Sequence, residues 1–282
     1  IGGFRIGWVL PHYDSHTRLK CEALQPEFLF CDEEKLGAGE PLWRGTWRWV
    51  IYEVTTIELA LSLAARGAEV RALDLQPAEG CETIVGSVDD AAAARRAVEG
   101  CDHVFHLAGV AHLWSRDRHV FERVNHQGTR VMLDAAMRAG VRRFLHCSSL
   151  TTLVGRATPI GESLADEAIR LEPSDMLGPY PRSKLLAERA VEAAAGEGLD
   201  ALILLPTEPM GAGDAALTPP TQMALDLLNR STPATIAMTL NIVPVGDRAQ
   251  GFIAAAEKGR RGERYLLGGE NCAMRDILAM LE

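Results

Sequence analysis

From Thr56 onward, short apolar segments that read as strands alternate with segments that read as helices, and this alternation limits the chain to very few architectures. Ile57, Leu59, Ala60, Leu61, Leu63 and Ala64 predict an apolar helix, stopped by the Arg66-Gly67 C-cap signal. A strand, Glu69–Asp74, follows. Next come an alanine-rich helix at Asp90–Glu99, a strand at His103–Leu107, a helix at Val120–Ala139 and a strand at Arg143–Cys147. A helix starting near Tyr180 runs through Leu185, Leu186 and Val191 to the Gly196–Gly198 stop, and Leu202–Leu205 is the next buried strand. Units of this kind predict an α/β, Rossmann-type, doubly wound parallel sheet with helices on both faces. After Pro206 the chain turns rich in Pro and Gly, at Gly211–Asp214 and Thr218–Pro220, before a helix at Thr221–Leu228. A small C-terminal substrate lobe would branch off here. The expected organisation is 1–46 as a segment without an assigned role, 47–206 as the dinucleotide-binding core, and 207–282 as the substrate lobe with the remaining core elements.

Bulk properties narrow the function. With 282 residues, 47% of them hydrophobic and 24% charged, the chain can bury a full core, which excludes general disorder. A formal charge of -9, with both signs interspersed, disfavours a nucleic-acid partner, which requires a concentrated basic surface. The six cysteines form no Cys-x-x-Cys pair and keep no metal-ligand spacing with the eight histidines, so no metal is expected; reduced thiols and a cytoplasmic location are. No apolar run approaches the roughly 18 residues of a membrane span, and residues 1–20 lack a signal-peptide core. Residues 1–46 hold two of the five tryptophans, Trp8 and Trp43, and show no sustained period. There is no internal repeat.

Two groups of residues carry chemistry. In Tyr180-Pro-Arg-Ser-Lys184 the i, i+4 spacing sets a phenol and an ammonium on one helix face. A nearby positive charge favours phenolate, so a tyrosine that ionises near pH ~10 would work as an acid or base closer to neutrality. Alone, such spacing usually marks a solvated helix face. Ser148-Ser149 immediately follows an apolar strand, at the carboxyl edge of the sheet where open α/β folds bind ligands. Alone, this pair, with Thr151 and Thr152, would be an ordinary Ser/Thr-rich turn.

In this order the strand, the serines and the Tyr/Lys helix resemble the extended short-chain dehydrogenase/reductase family, also called the NAD-dependent epimerase/dehydratase family. The resemblance spans about Thr56 to Leu281. Asp102–Gly109 looks like the family's strand beside the cofactor, Val124-Asn-His-Gln-Gly-Thr129 like its Asn-x-x-Gly-Thr helix, and Leu205-Pro206 like its Arg-Pro pair. Leu113–Asp117, Leu217–Thr221 and Gly262–Glu270 are most similar to hopanoid-associated sugar epimerases and dihydroflavonol-reductase-like members. The resemblance implies a small-molecule substrate carrying a secondary alcohol or ketone on a sugar or hydrophobic ring, and an oxidoreductase or epimerase acting on it. Tyr180 would be the acid/base, Lys184 would lower its pKa and hold the nicotinamide ribose, and Ser149, rather than Ser148, would hydrogen-bond the reacting oxygen. Asp74, Val88, Leu107, Ala108, Gly109 and Pro206 would line the cofactor, and Asn125 would support the site. Asp74 favours NAD over NADP, because its charge would meet a 2′-phosphate. Arg71 faces the opposite way by strand alternation. A homodimer through the helices Val120–Ala139 and Tyr180–Ala195 is also implied.

The family's Gly-x-x-Gly-x-x-Gly turn is missing. Counting back from Gly67 places Val50, Glu53 and Thr56 at its three positions, where side chains, one of them a carboxylate, would crowd and repel a pyrophosphate. Trp47–Tyr52 would still be strand 1, with Thr55 or Thr56 as the helix N-cap. Ser87 stands where the family often keeps an aspartate, and the chain ends at Glu282, sooner after Gly268-Gly269 than the family's substrate lobe usually does. The chain is then a divergent enzyme with a remodelled phosphate loop, a non-catalytic Rossmann-like binding or partner protein that has lost dinucleotide binding, or a protein in which residues up to about Thr56 have been replaced.

Overall fold

The computed structural model describes residues 7–9, 28–31, 48–51, 55–77, 81–159, 165–211, 218–229, 231 and 235–281. Two compact units are present, Leu59–Pro209 with Asn241–Glu270, and Ile1–Glu58 with Met210–Leu240 and Asn271–Glu282.

The first unit contains most of the predicted alternation. Its elements are β4 (Arg71–Asp74), β5 (Glu82–Val85), α2 (Ala91–Val98), β6 (His103–His106), α3 (Gly128–Ala139), β7 (Arg143–Cys147), α4 (Pro179–Gly196), β8 (Ala201–Pro206), α6 (Val245–Lys258) and β11 (Arg264–Leu267). Strands pair in the order β11-β8-β7-β6, all parallel, and β4 pairs with β5, also parallel. Burial follows the period of two expected for strands covered on both faces. Phe144, Ala201, Ile203 and Leu205 join one core with α2, α3 and α4; Leu145, Cys147, Leu202 and Leu204 join another with Leu59 and Ala249, Phe252 and Ile253 of α6. Each of these leucine and isoleucine side chains contributes roughly 1.5–3 kcal/mol by leaving water.

Local signals set the helix ends. Asp90 accepts a hydrogen bond from Ala92 N–H at 2.8 Å as the N-cap of α2. Gly67, at φ +83°, closes the turn after α1 (Thr55–Ala64), and Gly140, at φ +69°, ends α3. Arg143, at the start of β7, donates to Asp200 at 2.8 Å and to the Ala256 carbonyl in the last turn of α6 at 2.6 Å. Among the described residues no helix is long and apolar enough to cross a membrane.

The second unit contains β1 (Gly7–Val9), β2 (Phe28–Cys31) and β3 (Arg48–Ile51), a parallel sheet in the order β1-β2-β3. It also contains α5 (Pro219–Leu228) and α7 (Met274–Leu281). Strands β9 (Glu208–Met210), β10 (Thr239–Pro244) and β12 (Glu270–Ala273) lie at the chain crossings between the units.

Three expectations change. The segment expected as strand 1 is β3, but its ladder is made with β2; among the described residues no strand pairs with both β4 and β6. Thr55 and Thr56 lie inside α1 rather than capping it. The helix expected over Val120–Ala139 opens as a π-helix, Phe121–Gln127, in which Gly128 N–H reaches back to the Arg123 carbonyl, before continuing as α3. Gly211 is described, whereas Ala212–Leu217 and Glu53 lie outside the described residues.

Candidate active site

Parallel strands all end at the same edge, so the segments after β6, β7 and β8 emerge together. Ser148 and Ser149 follow β7, Ala108 and Gly109 follow β6, and Thr207 and Glu208 follow β8. Ser149 caps a short 3₁₀ turn, Leu150–Leu153; its Oγ accepts from Thr151 N–H at 3.2 Å and from the Thr151 hydroxyl at 3.0 Å. That leaves the Ser149 O–H as a donor, and Ser149 favours ionisation of the Tyr180 phenol.

Tyr180 lies in the first turn of α4, where Pro179 supplies the fixed φ that suits a helix start. The ring is buried and meets Phe121 edge-on at 6.5 Å between centroids. Burial pushes the phenol up to about 12, against the downward pull of Ser149. This departs from the expected lowering by Lys184, whose buried amine donates instead to the Cys147 carbonyl at 2.7 Å. Burial also lowers the pKa of that amine.

The π-helical turn gives Asn125 its place. Its Oδ1 accepts from Val110 N–H at 2.7 Å, and its Nδ2 donates to the Val110 carbonyl at 3.1 Å and to Ser183 Oγ at 3.0 Å. The Ser183 hydroxyl donates to the Tyr180 carbonyl at 2.7 Å. Asn125 thus joins the strand β6 exit to the Tyr180 helix. Gly109 lies where a Cβ would be 3.0 Å from Asn125 Oδ1 and 3.3 Å from Lys184 Nζ, so only a small residue fits without displacing one of them.

The remaining predicted residues separate into two groups. Pro206 ends β8, paired with Leu267, while Leu107 and Ala108 are half-buried against the two cores. Val88 is packed in the core, close enough to Gly128 that a Cβ there would be 2.8 Å from Val88 Cγ2. Asp74 is exposed at the carboxyl end of β4, its Oδ1 accepting from Gln76 N–H at 3.1 Å. Arg71 is held by Glu82 at 2.8 Å and the Glu99 carbonyl at 2.7 Å.

Sequence reading missed a buried polar layer under this edge. Glu188, one turn beyond Lys184, accepts from the Ser148 hydroxyl and pairs with Arg264 at 3.0 Å, with both charged side chains almost wholly buried. Burial raises the Glu188 pKa, while Arg264 and Ser148 oppose the rise. The signal was present, since Tyr180, Lys184 and Glu188 form an i, i+4, i+8 stripe. His106 and His146, paired across β6 and β7, are buried with ring centroids 5.5 Å apart. Burial, then the Lys184 charge, lowers His106 to about 3 and holds His146 well below the ordinary imidazole range. Thr129 Oγ1 donates to the Asn125 carbonyl, so in its 2.9 Å contact it accepts from His106 Nε2–H.

Residues 58–268 match the family described as the NAD dependent epimerase/dehydratase family. The chain belongs to this family. It is 35% identical over 202 residues to a provisionally named dihydroflavonol 4-reductase of Synechocystis sp., an alignment that takes in 70% of this chain and 58% of the relative. The chain therefore spans less than two thirds of that relative's length. It is 34% identical over 231 residues to sterol demethylase protein B of Methylococcus capsulatus, covering 79% of this chain and 69% of that protein. The crystal structure of gox2253 superposes with a TM-score of 0.74 at 34% identity, covering 81% of this chain and 71% of the other. In this epimerase/dehydratase member, the residues present fit the nicotinamide and ribose ends of a dinucleotide, namely a buried amine beside a glycine at one end and a strand-terminal carboxylate at the other.

Proposed function

We propose that this family member is an NAD-dependent oxidoreductase or epimerase acting on a secondary alcohol or ketone of a ring substrate, with Tyr180 as the acid/base. The observation that carries this reading is the placement of Ser149 after β7 and of the buried Tyr180 in the first turn of α4, beside a buried lysine amine that bonds the Cys147 carbonyl at the end of β7. Ser149 would donate to the substrate oxygen, and the phenol would give that oxygen its proton or take it back. Lys184 would hold the nicotinamide ribose once its bond to the Cys147 carbonyl yields. Asp74 would accept from the adenosine ribose hydroxyls, and it would favour NAD over NADP because a 2′-phosphate would meet its charge while the nearby Arg71 is committed to Glu82. When bound, the cofactor supplies the hydride acceptor or donor. Leu107, Ala108, Gly109 and Pro206 would line it, while Val88 would contribute backbone only. Residues after 206 would supply the substrate lobe.

A hydrophobic ring is favoured over a sugar nucleotide. Two relatives bear names that point to a flavonoid and a sterol. Leu113 and Trp114, in the segment after β6, are 67% and 71% exposed and offer an apolar surface to such a ring. This reading places the chain with the dihydroflavonol-reductase-like members. Spectrophotometric assay of NADH consumption with a ketosteroid, a dihydroflavonol and a UDP-sugar ketone tests it. One of the ring ketones should be reduced; consumption with the sugar nucleotide alone would contradict the assignment.

A further inference from the structure

The turn that carries Asn125 is tied to strand β6 twice. His106, the last residue of β6, donates from Nε2 to Thr129 Oγ1 at 2.9 Å, and the Thr129 hydroxyl donates in turn to the Asn125 carbonyl at 2.6 Å. From the same residue, the Asn125 side chain returns to the exit of β6 and bonds both the N–H and the carbonyl of Val110, at 2.7 and 3.1 Å. A closed circuit results, running along the chain from His106 to Val110 and back through Asn125 and Thr129. His106, Thr129 and Asn125 are 2%, 0% and 1% exposed, so water does not compete for these bonds. Gly128 seats the same junction against the segment after β5, where a Cβ would be 2.8 Å from Val88 Cγ2.

Thr129 holds the chain where the π-helix Phe121–Gln127 passes into α3, and π-helical turns are rare, occurring mostly as single turns at functional sites. What the turn delivers is the Asn125 amide. Its Nδ2 donates to Ser183 Oγ at 3.0 Å, and the Ser183 hydroxyl donates to the Tyr180 carbonyl at 2.7 Å. Its Oδ1 is 3.0 Å from the place a Gly109 Cβ would take, a point only 3.3 Å from Lys184 Nζ. A shift of Asn125 therefore moves the β6 exit relative to the helix that bears Tyr180 and Lys184. Without the Thr129 hydroxyl the His106 Nε2–H loses its acceptor inside the core, an imbalance that the turn relieves by moving.

We infer that His106 and Thr129 are positioning residues for the acid/base site: through the Asn125 carbonyl they fix the amide that holds the exit of β6 and the first turn of the Tyr180 helix in register. Neither touches the reacting atoms. The inference rests on the reading of Tyr180 as the acid/base and adds to it one residue from β6 and one from α3. His106 serves as a fixed neutral donor, since burial, then the Lys184 charge, keeps its ring uncharged down to about 3.

The test compares Thr129→Val, which keeps the shape and removes the hydroxyl, with Thr129→Ser, which keeps the hydroxyl, in the full chain. His106→Phe, a ring without a donor, repeats the test from the other end of the bond and stands in should Thr129→Val not fold. Two readouts are taken: hydrogen exchange at the Val110 amide, and kcat and KM per folded molecule with the ring ketone that the wild type reduces. In Thr129→Val and His106→Phe the Val110 amide should exchange about tenfold faster or more, and kcat should fall by about 10- to 100-fold with a smaller change in KM. Thr129→Ser should recover most of both. A lower unfolding temperature with kcat per folded molecule unchanged would overturn the inference, because the bond would then serve stability alone. Equal losses in Thr129→Ser and Thr129→Val would overturn it too. If the wild type reduces no ketone, the acid/base reading falls, while faster Val110 exchange in Thr129→Val but not in Thr129→Ser still upholds the hold on Asn125 and unchanged exchange removes it, so the two fail separately.

Discussion

Tyr180→Phe should reduce turnover by about 10²–10⁴-fold while the protein stays folded. The substitution removes one hydroxyl and keeps the ring, so the edge-on contact with Phe121 and the fit against the core survive. What is lost is the phenol hydroxyl whose ionisation Ser149 favours. The loss should fall on kcat more than on KM, because a proton in transit matters in the transition state and little in the ground state. The high phenol pKa adds a stability signature. The folded chain holds the Tyr180 proton to about 12, whereas the unfolded chain releases it near pH ~10, so this contribution is fully present below about 10 and is lost as pH rises through 12. Tyr180→Phe should lack that alkaline component. A variant with wild-type kcat would rule out the assigned role.

Glu188→Ala should destabilise the fold by about 3–5 kcal/mol, measured by urea unfolding. Removing the carboxylate leaves Arg264 as an uncompensated buried charge, with its Nε already lacking a partner, and strands the Ser148 hydroxyl. Arg264 also donates to the Ile169 carbonyl at 2.8 Å, so the damage should spread to the segment before α4. Replacing both partners by apolar residues, Glu188→Leu with Arg264→Met, should recover most of the loss, since two desolvation penalties vanish together. A loss below about 1 kcal/mol for Glu188→Ala would mean that water reaches the pair.

Much of this arrangement is visible in the linear chain, for identifiable reasons. Continuous apolar runs such as Ala201–Leu205 have one economical fate, a strand covered on both faces. Gly67, Gly140 and Asp90 carry backbone requirements that mark helix ends. The gathering of Ser149, Tyr180 and Lys184 is legible because strand order and helical phase together place them at one edge. The π-helical turn at Phe121–Gln127 was not found, because its cause is tertiary: the Asn125 hydrogen bonds to Val110 and Ser183 come from segments 15 and 58 residues away. The direction of the Tyr180 shift was missed for a similar reason. Helical spacing brings Lys184 close, but it says nothing of how deeply the ring is buried or which carbonyl captures the amine. Arg248 and Glu188 read as surface charges until neighbouring apolar positions on their helices show which face they occupy.

The central claim is that a dinucleotide binds along the carboxyl edge of β4, β6 and β7 even though a count back from Gly67 meets Val50, Glu53 and Thr56 where glycines are expected. Calorimetric titration of the whole chain with NAD and with NADP tests it directly. The account predicts saturable heat with NAD and weaker binding of NADP, set by Asp74; no heat with either at millimolar concentration would contradict it and leave a Rossmann-like protein without its cofactor.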